Sequence, residues 1–183
     1  LMNANSVCYY GWTGIAQNCN ASQIDRALAT LMSMTGSYDR TGGNVAFTRH
    51  RTNSILGFDL LSQEQRDKAL GLTERPLGPP AEAMITSKDF YTSVLDKKPY
   101  HIKAMFSFGA NHIVSHGETD RAVEAYSSLE FFAHCNTVVT PTAKYADIFL
   151  PANTPWEREG LHVGFDISQE ANELIQLRQA IVP

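Results

Sequence analysis

Cysteine, net charge and long apolar runs are all scarce in this 183-residue chain. Its three cysteines, Cys8, Cys19 and Cys135, form no CxxC pair, which indicates neither a disulfide framework nor a zinc or iron–sulfur site. The formal charge of −4 leaves no excess of basic residues, so we expect no nucleic-acid partner. No apolar run approaches the roughly 20 residues that a membrane-crossing helix needs, so no direct membrane span is predicted.

Apolar residues are nevertheless plentiful, at 43% of the chain, and with its length this content predicts one compact domain with a real core, or at most two small ones. The sequence begins at Leu1 with no recognisable export signal and ends within a stretch, 174–183, that is typical of a strand and a continuing segment. Two interpretations stay open here: a trimmed form of the protein or an internal piece of a longer polypeptide.

The amino-terminal third has the pattern of one strand, a glycine turn and one helix. A strand is predicted over 6–10, and the helix follows a cap at Asn20 or Ser22 and ends at Gly36. The stretch 37–100 is predicted as a loop-rich insertion, with one short helix after a capping box at Ser62. A long segment of this kind is usually functional or wraps a neighbour.

The second half alternates strands and helices. Strands are predicted over 102–108, 131–135 and 147–150, with a loop after the first of them, a helix over 118–129 and a short helix over 140–145. Strands separated by single helices favour a parallel sheet, in which ligands bind outside the carboxyl ends of the strands. Glycine and asparagine occupy those ends, which predicts a nucleotide-sized site there.

Five stretches resemble, in order, the molybdopterin oxidoreductases of the dimethyl sulfoxide reductase superfamily. Residues 12–17 (WTGIAQ) resemble a G-x-x-Q turn, and 31–45 (LMSMTGSYDRTGGNV) resemble the L-x-x-L-T-G-x-x-x-R-P-G-G segment. Residues 102–111 (IKAMFSFGAN) resemble a strand and G-x-N turn. Residues 140–152 (TPTAKYADIFLPA) resemble a T-x-T-A-x-x-A-D-x-x-L-P-A signature, and 156–160 (WEREG) resemble the W-x-E-K-E-G that follows it. Residues 50–100 resemble the family pattern least.

The resemblance implies a fold and a cofactor. The fold is a three-layer α/β/α domain with a mostly parallel, Rossmann-like sheet, covering 1–183 as one domain. Its implied role is to hold the guanosine half of one molybdopterin guanine dinucleotide in a molybdenum bis(molybdopterin guanine dinucleotide) cofactor. Carried over by motif, the implied cofactor-binding residues are Thr13, Gly14, Gln17, Gly109, Asn111, Ser115, Cys135, Asn136 and Arg158.

The physical chemistry of these side chains agrees with the implied roles. Glycine turns admit a pyrophosphate, an amide such as Gln17 or Asn111 both donates and accepts, and Arg158 can pair with phosphate in a forked geometry. Two positions depart from the family pattern, which has Ser-Asp or Gln-Asp where this chain has Cys135 and Asn136. A neutral amide accepts at only one of its ends, so Asn136 cannot accept hydrogen bonds through two oxygens as the family's carboxylate can, and the prediction concerns its location at the strand end.

The metal-bearing parts of such an enzyme are expected outside this sequence. The family's catalytic chains carry a cysteine cluster for a 4Fe–4S centre and a ligand to molybdenum, and neither motif is present here. We therefore predict no metal ligand and no turnover by this chain alone. The resemblance implies the remaining domains of the same polypeptide as partners, with an iron–sulfur electron-transfer subunit as another, in the cytoplasm or periplasm of a prokaryote.

Other interpretations stay open beside this one. The same fold occurs in scaffold domains of electron-transfer complexes that have lost the cofactor. Apolar side chains filling the pocket at the positions of Gly14, Asn111 and Ser115 would favour that role. A free-standing NAD or flavin module is disfavoured because no G-x-G-x-x-G follows a strand. His112 and His116 have the i, i+4 spacing of a helical zinc pair but lie in a predicted loop.

Overall fold

The computed structural model describes residues 3–46, 48, 52–53, 56–82, 84–164 and 168–182. Its helices, in chain order, are α1 (Thr13–Ala16), α2 (Ala21–Thr35), α3 (Gln63–Asp67), α4 (Ser87–Leu95), α5 (His112–Ser115), α6 (Thr119–Ser127) and α7 (Gln169–Glu173). Its strands are β1 (Ala104–Phe108), β2 (Phe131–Asn136), β3 (Ile148–Pro151), β4 (Gly160–Val163) and β5 (Ile175–Arg178). Short 3-10 helices lie at Phe58–Leu60, Pro79–Glu82 and Pro141–Tyr145.

The chain divides into two compact units. Unit 1 comprises Leu1–Thr52 and Gly160–Arg178, and unit 2 comprises Asn53–Glu159 and Gln179–Pro183. In neither unit does a described helix have the length and apolar character needed to cross a membrane.

Helix α2 dominates the amino-terminal part of unit 1 and confirms the predicted helix. It begins after Asn20 and ends at Gly36, which adopts the left-handed conformation (φ 64°) that glycine tolerates at a helix end. Met32 is its one buried residue among those described, whereas Ile24 and Leu31 on the same apolar stripe are exposed.

The predicted strand over 6–10 is wrong: the backbone there pairs with side chains and not with a neighbouring strand. Asn44 accepts a hydrogen bond from the Tyr9 N–H and donates one to the Tyr9 carbonyl, both at 2.9 Å. The Val7 N–H donates to the Ser37 hydroxyl at 3.2 Å. An amide side chain carries both a donor and an acceptor, so it satisfies one backbone residue as a strand partner would.

Unit 1 also contains a short antiparallel pair. Strand β5 confirms the strand predicted within 174–183, and β4 was not predicted. The two strands pair with Gly160 opposite Arg178 and Val163 opposite Ile175.

The centre of unit 2 is a three-stranded parallel sheet in the order β1-β2-β3. All three strands confirm the predictions, and their register places Ser107 opposite His134 and His134 opposite Phe149. The helix predicted over 118–129 is confirmed by α6, and the short helix over 140–145 is a 3-10 helix at Pro141–Tyr145. The predicted loop after β1 is wrong in part, since it holds the one-turn helix α5.

The core of unit 2 forms where α4 and α6 pack on one face of this sheet. Its buried members are Phe90, Tyr91, Val94, Ile113, Ala122, Ala125, Tyr126 and Phe132. Helix α4 lies inside the stretch predicted as loop-rich, so that prediction missed a central element. Thr86 caps α4 by accepting a hydrogen bond from the Asp89 N–H at 3.2 Å.

Candidate functional site

The carboxyl ends of β1, β2 and β3 meet at one edge of the parallel sheet. The Gly109 N–H donates to the Cys135 carbonyl at 2.8 Å, and the Ala152 N–H donates to the Asn136 carbonyl at 3.0 Å. This edge therefore brings together four of the predicted site positions, at Gly109, Asn111, Cys135 and Asn136.

Gly109 gives the edge its open turn. Its φ of +59° is a conformation that favours glycine, and a Cβ built there would meet no heavy atom within 4 Å. A ligand can thus approach the backbone closely at this point.

Thr142 fixes the side chain of Asn111. The Thr142 hydroxyl, which is fully buried, donates to Asn111 Oδ1 at 3.0 Å and accepts from the Ile113 N–H at 3.1 Å. The amide is held through its oxygen, so Nδ2 is the group with which Asn111 can donate to a ligand. Sequence reasoning missed Thr142, although it is the second threonine of the T-x-T-A segment.

The hydroxyl of Ser115 turns back toward the same loop. It is exposed and donates to the Asn111 carbonyl at 3.0 Å, so the lone pairs of the oxygen remain as acceptors. The side chain of Cys135 is half-buried and forms no disulfide.

Asn136 is buried and joins a chain of polar side chains beneath the edge. Its Nδ2 lies 3.4 Å from the Ala110 carbonyl oxygen and 3.4 Å from His134 Nε2. The other ring nitrogen, His134 Nδ1, lies 2.8 Å from the Ser107 hydroxyl. Burial lowers the pKa of His134, which favours the neutral imidazole.

Arg158 and Glu157 lie beyond β3 in the same unit. Arg158 is exposed. Glu157 Oε2 accepts from the Thr154 N–H and hydroxyl, each at 2.7 Å, and these hydrogen bonds hold the pKa of Glu157 below its usual range. This carboxylate therefore stabilises a turn.

Thr13, Gly14 and Gln17 lie in unit 1, on and just after α1. All three are exposed, and a Cβ built at Gly14 would meet no heavy atom within 4 Å. Thr13 also lines an open cavity of about 620 Å³, whose wall includes the stacked rings of Tyr10 and Trp12 at 6.0 Å.

The histidine pair His112 and His116 packs beside the core residue Tyr126. The His112 ring stacks on Tyr126 at 5.8 Å with 12° between the planes, and its centroid lies 5.0 Å from that of His116. Burial, followed by the proximity of His116 and His134, lowers the pKa of His112. Over the described ranges, no three side chains of His, Cys, Asp or Glu are grouped so as to hold a metal ion.

A parallel sheet whose carboxyl edge carries an open glycine turn is an α/β architecture in which ligands bind outside the carboxyl ends of the strands. The particular family follows from comparison with known proteins. The chain belongs to the molybdopterin oxidoreductase family, whose model matches residues 1–181. Membership confirms the resemblance seen in the sequence and implies a molybdopterin cofactor.

Several curated relatives match most of this chain but only a small part of their own length. A probable oxidoreductase of Bacillus subtilis, YjgC, is 26% identical over 86% of this chain and 17% of its own. The dopamine dehydroxylase of Eggerthella lenta is 31% identical over 73% of this chain and 14% of its own. The trimethylamine-N-oxide reductase of Haemophilus influenzae is 29% identical over 94% of this chain and 22% of its own.

A solved structure supports the fold. The acetylene hydratase of Pelobacter acetylenicus superposes with a TM-score of 0.64 at 19% identity, over 78% of this chain and 23% of the hydratase. The α/β fold with its parallel sheet is thereby confirmed.

Proposed function

We propose that this chain holds the guanosine half of a molybdopterin guanine dinucleotide within a larger molybdopterin-dependent oxidoreductase. The observation that carries the proposal is the open turn at Gly109 beside the fixed amide of Asn111, at the carboxyl edge of the parallel sheet. When bound, the molybdenum centre supplies oxygen-atom or two-electron transfer, and the protein supplies position and electrostatics.

The side chains at the edge fit a nucleoside and its phosphates. Asn111 Nδ2 donates to a carbonyl or ring nitrogen of the base, while the oxygen of Ser115 accepts from a ribose hydroxyl or a base N–H. The exposed guanidinium of Arg158 pairs with phosphate oxygens. Gly109 leaves room for the ligand beside the backbone. Cys135 is assigned a cofactor contact at the end of β2, and Asn136 holds the edge together from beneath.

In unit 1 we propose cofactor contacts at Thr13, Gly14 and Gln17. The open space beside Gly14 and the exposure of the other two side chains support this assignment. A scaffold domain that had lost its cofactor would have these spaces filled by larger side chains. Positions 14, 111 and 115 carry Gly14, Asn111 and Ser115, which are small or polar, and this favours the cofactor-binding role over the scaffold.

The remaining parts of the enzyme are proposed from the family. They are the other domains of the polypeptide, a 4Fe–4S cluster outside these 183 residues and an iron–sulfur subunit as electron partner. We expect this chain alone to be inactive, because the metal-bearing motifs of the family's catalytic chains are not in its sequence.

Metal and nucleotide analysis of the full-length, matured protein tests the proposal. We expect molybdenum or tungsten in the purified protein and a guanine nucleotide released by acid hydrolysis. Matured protein that contains neither metal and releases no guanine nucleotide would contradict the cofactor-binding role and favour the scaffold.

A further inference from the structure

His134 is the most deeply buried ionisable side chain beneath the candidate site. It is fully buried in the middle of β2, where it lies between Ser107 of β1 and Phe149 of β3 in the sheet register. Its ring also lies near Phe132, with the two centroids 5.8 Å apart. A polar ring in such surroundings needs a hydrogen-bond partner for each nitrogen, because an unpaired buried polar group is costly.

Two backbone groups fix the orientation of the neighbouring amide. The Thr137 N–H, which can only donate, lies 2.8 Å from one end of the Asn136 amide, so that end is the oxygen. The Ala110 carbonyl, which can only accept, lies 3.4 Å from the other end, so that end is the nitrogen. Asn136 therefore presents N–H groups, and not an oxygen, to the imidazole.

This orientation decides the tautomer of His134. Asn136 Nδ2 donates toward Nε2 at 3.4 Å, so Nε2 carries a lone pair, and the ring proton of the neutral imidazole is on Nδ1. Nδ1–H then donates to the Ser107 hydroxyl at 2.8 Å. The buried chain runs from Ser107 through His134 and Asn136 to the carbonyl of Ala110.

The far end of the chain is the turn of the candidate site. Ala110 follows Gly109, whose N–H is bonded to the Cys135 carbonyl, and precedes Asn111, whose side chain is offered to the ligand. The Asn136 side chain thus connects the end of β2 to the turn after β1 on the buried side of the sheet edge. His134 in turn contacts the Asn136 amide and fixes its position.

We propose that neutral His134, protonated on Nδ1, is a positioning residue that fixes the Gly109–Asn111 turn through Asn136. It touches no ligand itself. The inference rests on the proposed function only in calling that turn a binding element, and the positioning role is measurable without any cofactor.

A matched pair of substitutions separates the two ring nitrogens. In His134→Gln a side-chain oxygen stands three bonds from Cβ, as Nε2 does, and can accept from Asn136. In His134→Asn the amide stands in place of Nδ1, so the partner of Ser107 is kept and the acceptor for Asn136 is lost. Both variants lose the packing of the ring.

Hydrogen exchange by mass spectrometry on the full-length, cofactor-free protein reads out the difference. In His134→Asn we expect the peptide that contains the N–H groups of Gly109 and Ile113 to exchange about tenfold faster than in His134→Gln, as loss of one buried hydrogen bond implies. The peptide that covers α4 reports the shared loss of core packing and should change equally in both variants.

Equal exchange of the turn peptide in the two variants would overturn the positioning role, as would exchange in His134→Asn that equals the wild-type rate. If the exchange pattern is as expected but the native protein releases no guanine nucleotide, the proposed function fails and the role of His134 stands.

Discussion

Phe131 and Phe132 are neighbours in β2 and differ completely in burial. Phe132 is 0% exposed and meets the Tyr126 ring at 5.4 Å between centroids, while Phe131 is 42% exposed on the other face of the sheet. Successive residues of a strand point to opposite faces, so the Phe132 ring packs in the core while the Phe131 ring lies on the opposite face of the sheet.

Truncating these two rings should give very different losses of stability. Phe132→Ala removes a fully enclosed ring and should lower the free energy of unfolding of the 183-residue chain by about 3–5 kcal/mol. Phe131→Ala, the matched control, should cost less than about 1 kcal/mol, because its ring is partly in water already. Urea denaturation measures both, and equal losses would show that the assigned faces of β2 are wrong.

The buried histidines should make stability depend on pH in the range where histidine titrates. Burial holds the pKa of His134 and of His112 below the usual value. Unfolded histidines take up protons below about pH 6.5, where the folded rings stay neutral, so the unfolded state binds more protons as the pH falls. We expect the free energy of unfolding to be lower at about pH 5.5 than at about pH 7.5.

Removing one of these rings should flatten that dependence. His134→Gln has no titrating group at position 134, so its free energy of unfolding should change less between the two pH values than that of the wild type. His112 should account for part of the pH dependence that remains in the free energy of unfolding of this variant. A His134→Gln variant with the full wild-type pH dependence would contradict a neutral, buried His134.

At the scale of elements, local apolar patterns could be predicted from the sequence, and contacts between distant segments could not. The parallel strands and α6 follow from short-range patterns of apolar residues, which the sequence displays directly. Residues 6–10 have the same β-branched and aromatic pattern, yet the side chain of Asn44, 35 positions from Tyr9, takes the place of a strand partner. A contact so distant in sequence leaves no local signal.

Helix α4 was missed although its signal is present. Thr86 and Asp89 have the spacing of a helix cap, and Phe90, Tyr91 and Val94 follow on one face, all of them buried. The surrounding Gly- and Pro-rich stretch concealed this pattern.

The cap of α4 should contribute measurably to stability. The Thr86 hydroxyl accepts from the Asp89 N–H and donates to the Asp89 carboxylate at 2.7 Å. Thr86→Ala should therefore lower the free energy of unfolding by about 1 kcal/mol. Thr86→Ser keeps the hydroxyl and serves as the control, so a loss in the serine variant equal to that in alanine would argue against the cap.

At the scale of the whole molecule, the chain is two compact units from a family whose members are much longer. The meeting of Gly109, Asn111, Cys135 and Asn136 at one edge of the sheet could be predicted, because the carboxyl edge of a parallel sheet follows from topology. The support beneath it could not, since Ser107, His134 and Thr142 acquire their roles only when separate segments of the chain meet. Residues 13–17 lie in unit 1 and 109–158 in unit 2, a division that motif spacing does not reveal.

Gly109 offers the sharpest test of the site. Asparagine tolerates the left-handed backbone conformation that this turn requires, so Gly109→Asn adds a side chain to the open space with little backbone strain. Gly36, at φ +64° and also with no heavy atom within 4 Å of a Cβ, is a matched position at the end of α2. Gly36→Asn therefore controls for the substitution itself.

The most direct measurement is the guanine nucleotide that acid releases from the full-length protein in its wild-type, Gly109→Asn and Gly36→Asn forms. The account predicts release from the wild type and from Gly36→Asn, and a loss of about tenfold or more from Gly109→Asn, since a side chain there occupies the space for the ligand. Folded Gly109→Asn protein that releases as much guanine nucleotide as the wild type would contradict a site at this edge of the sheet.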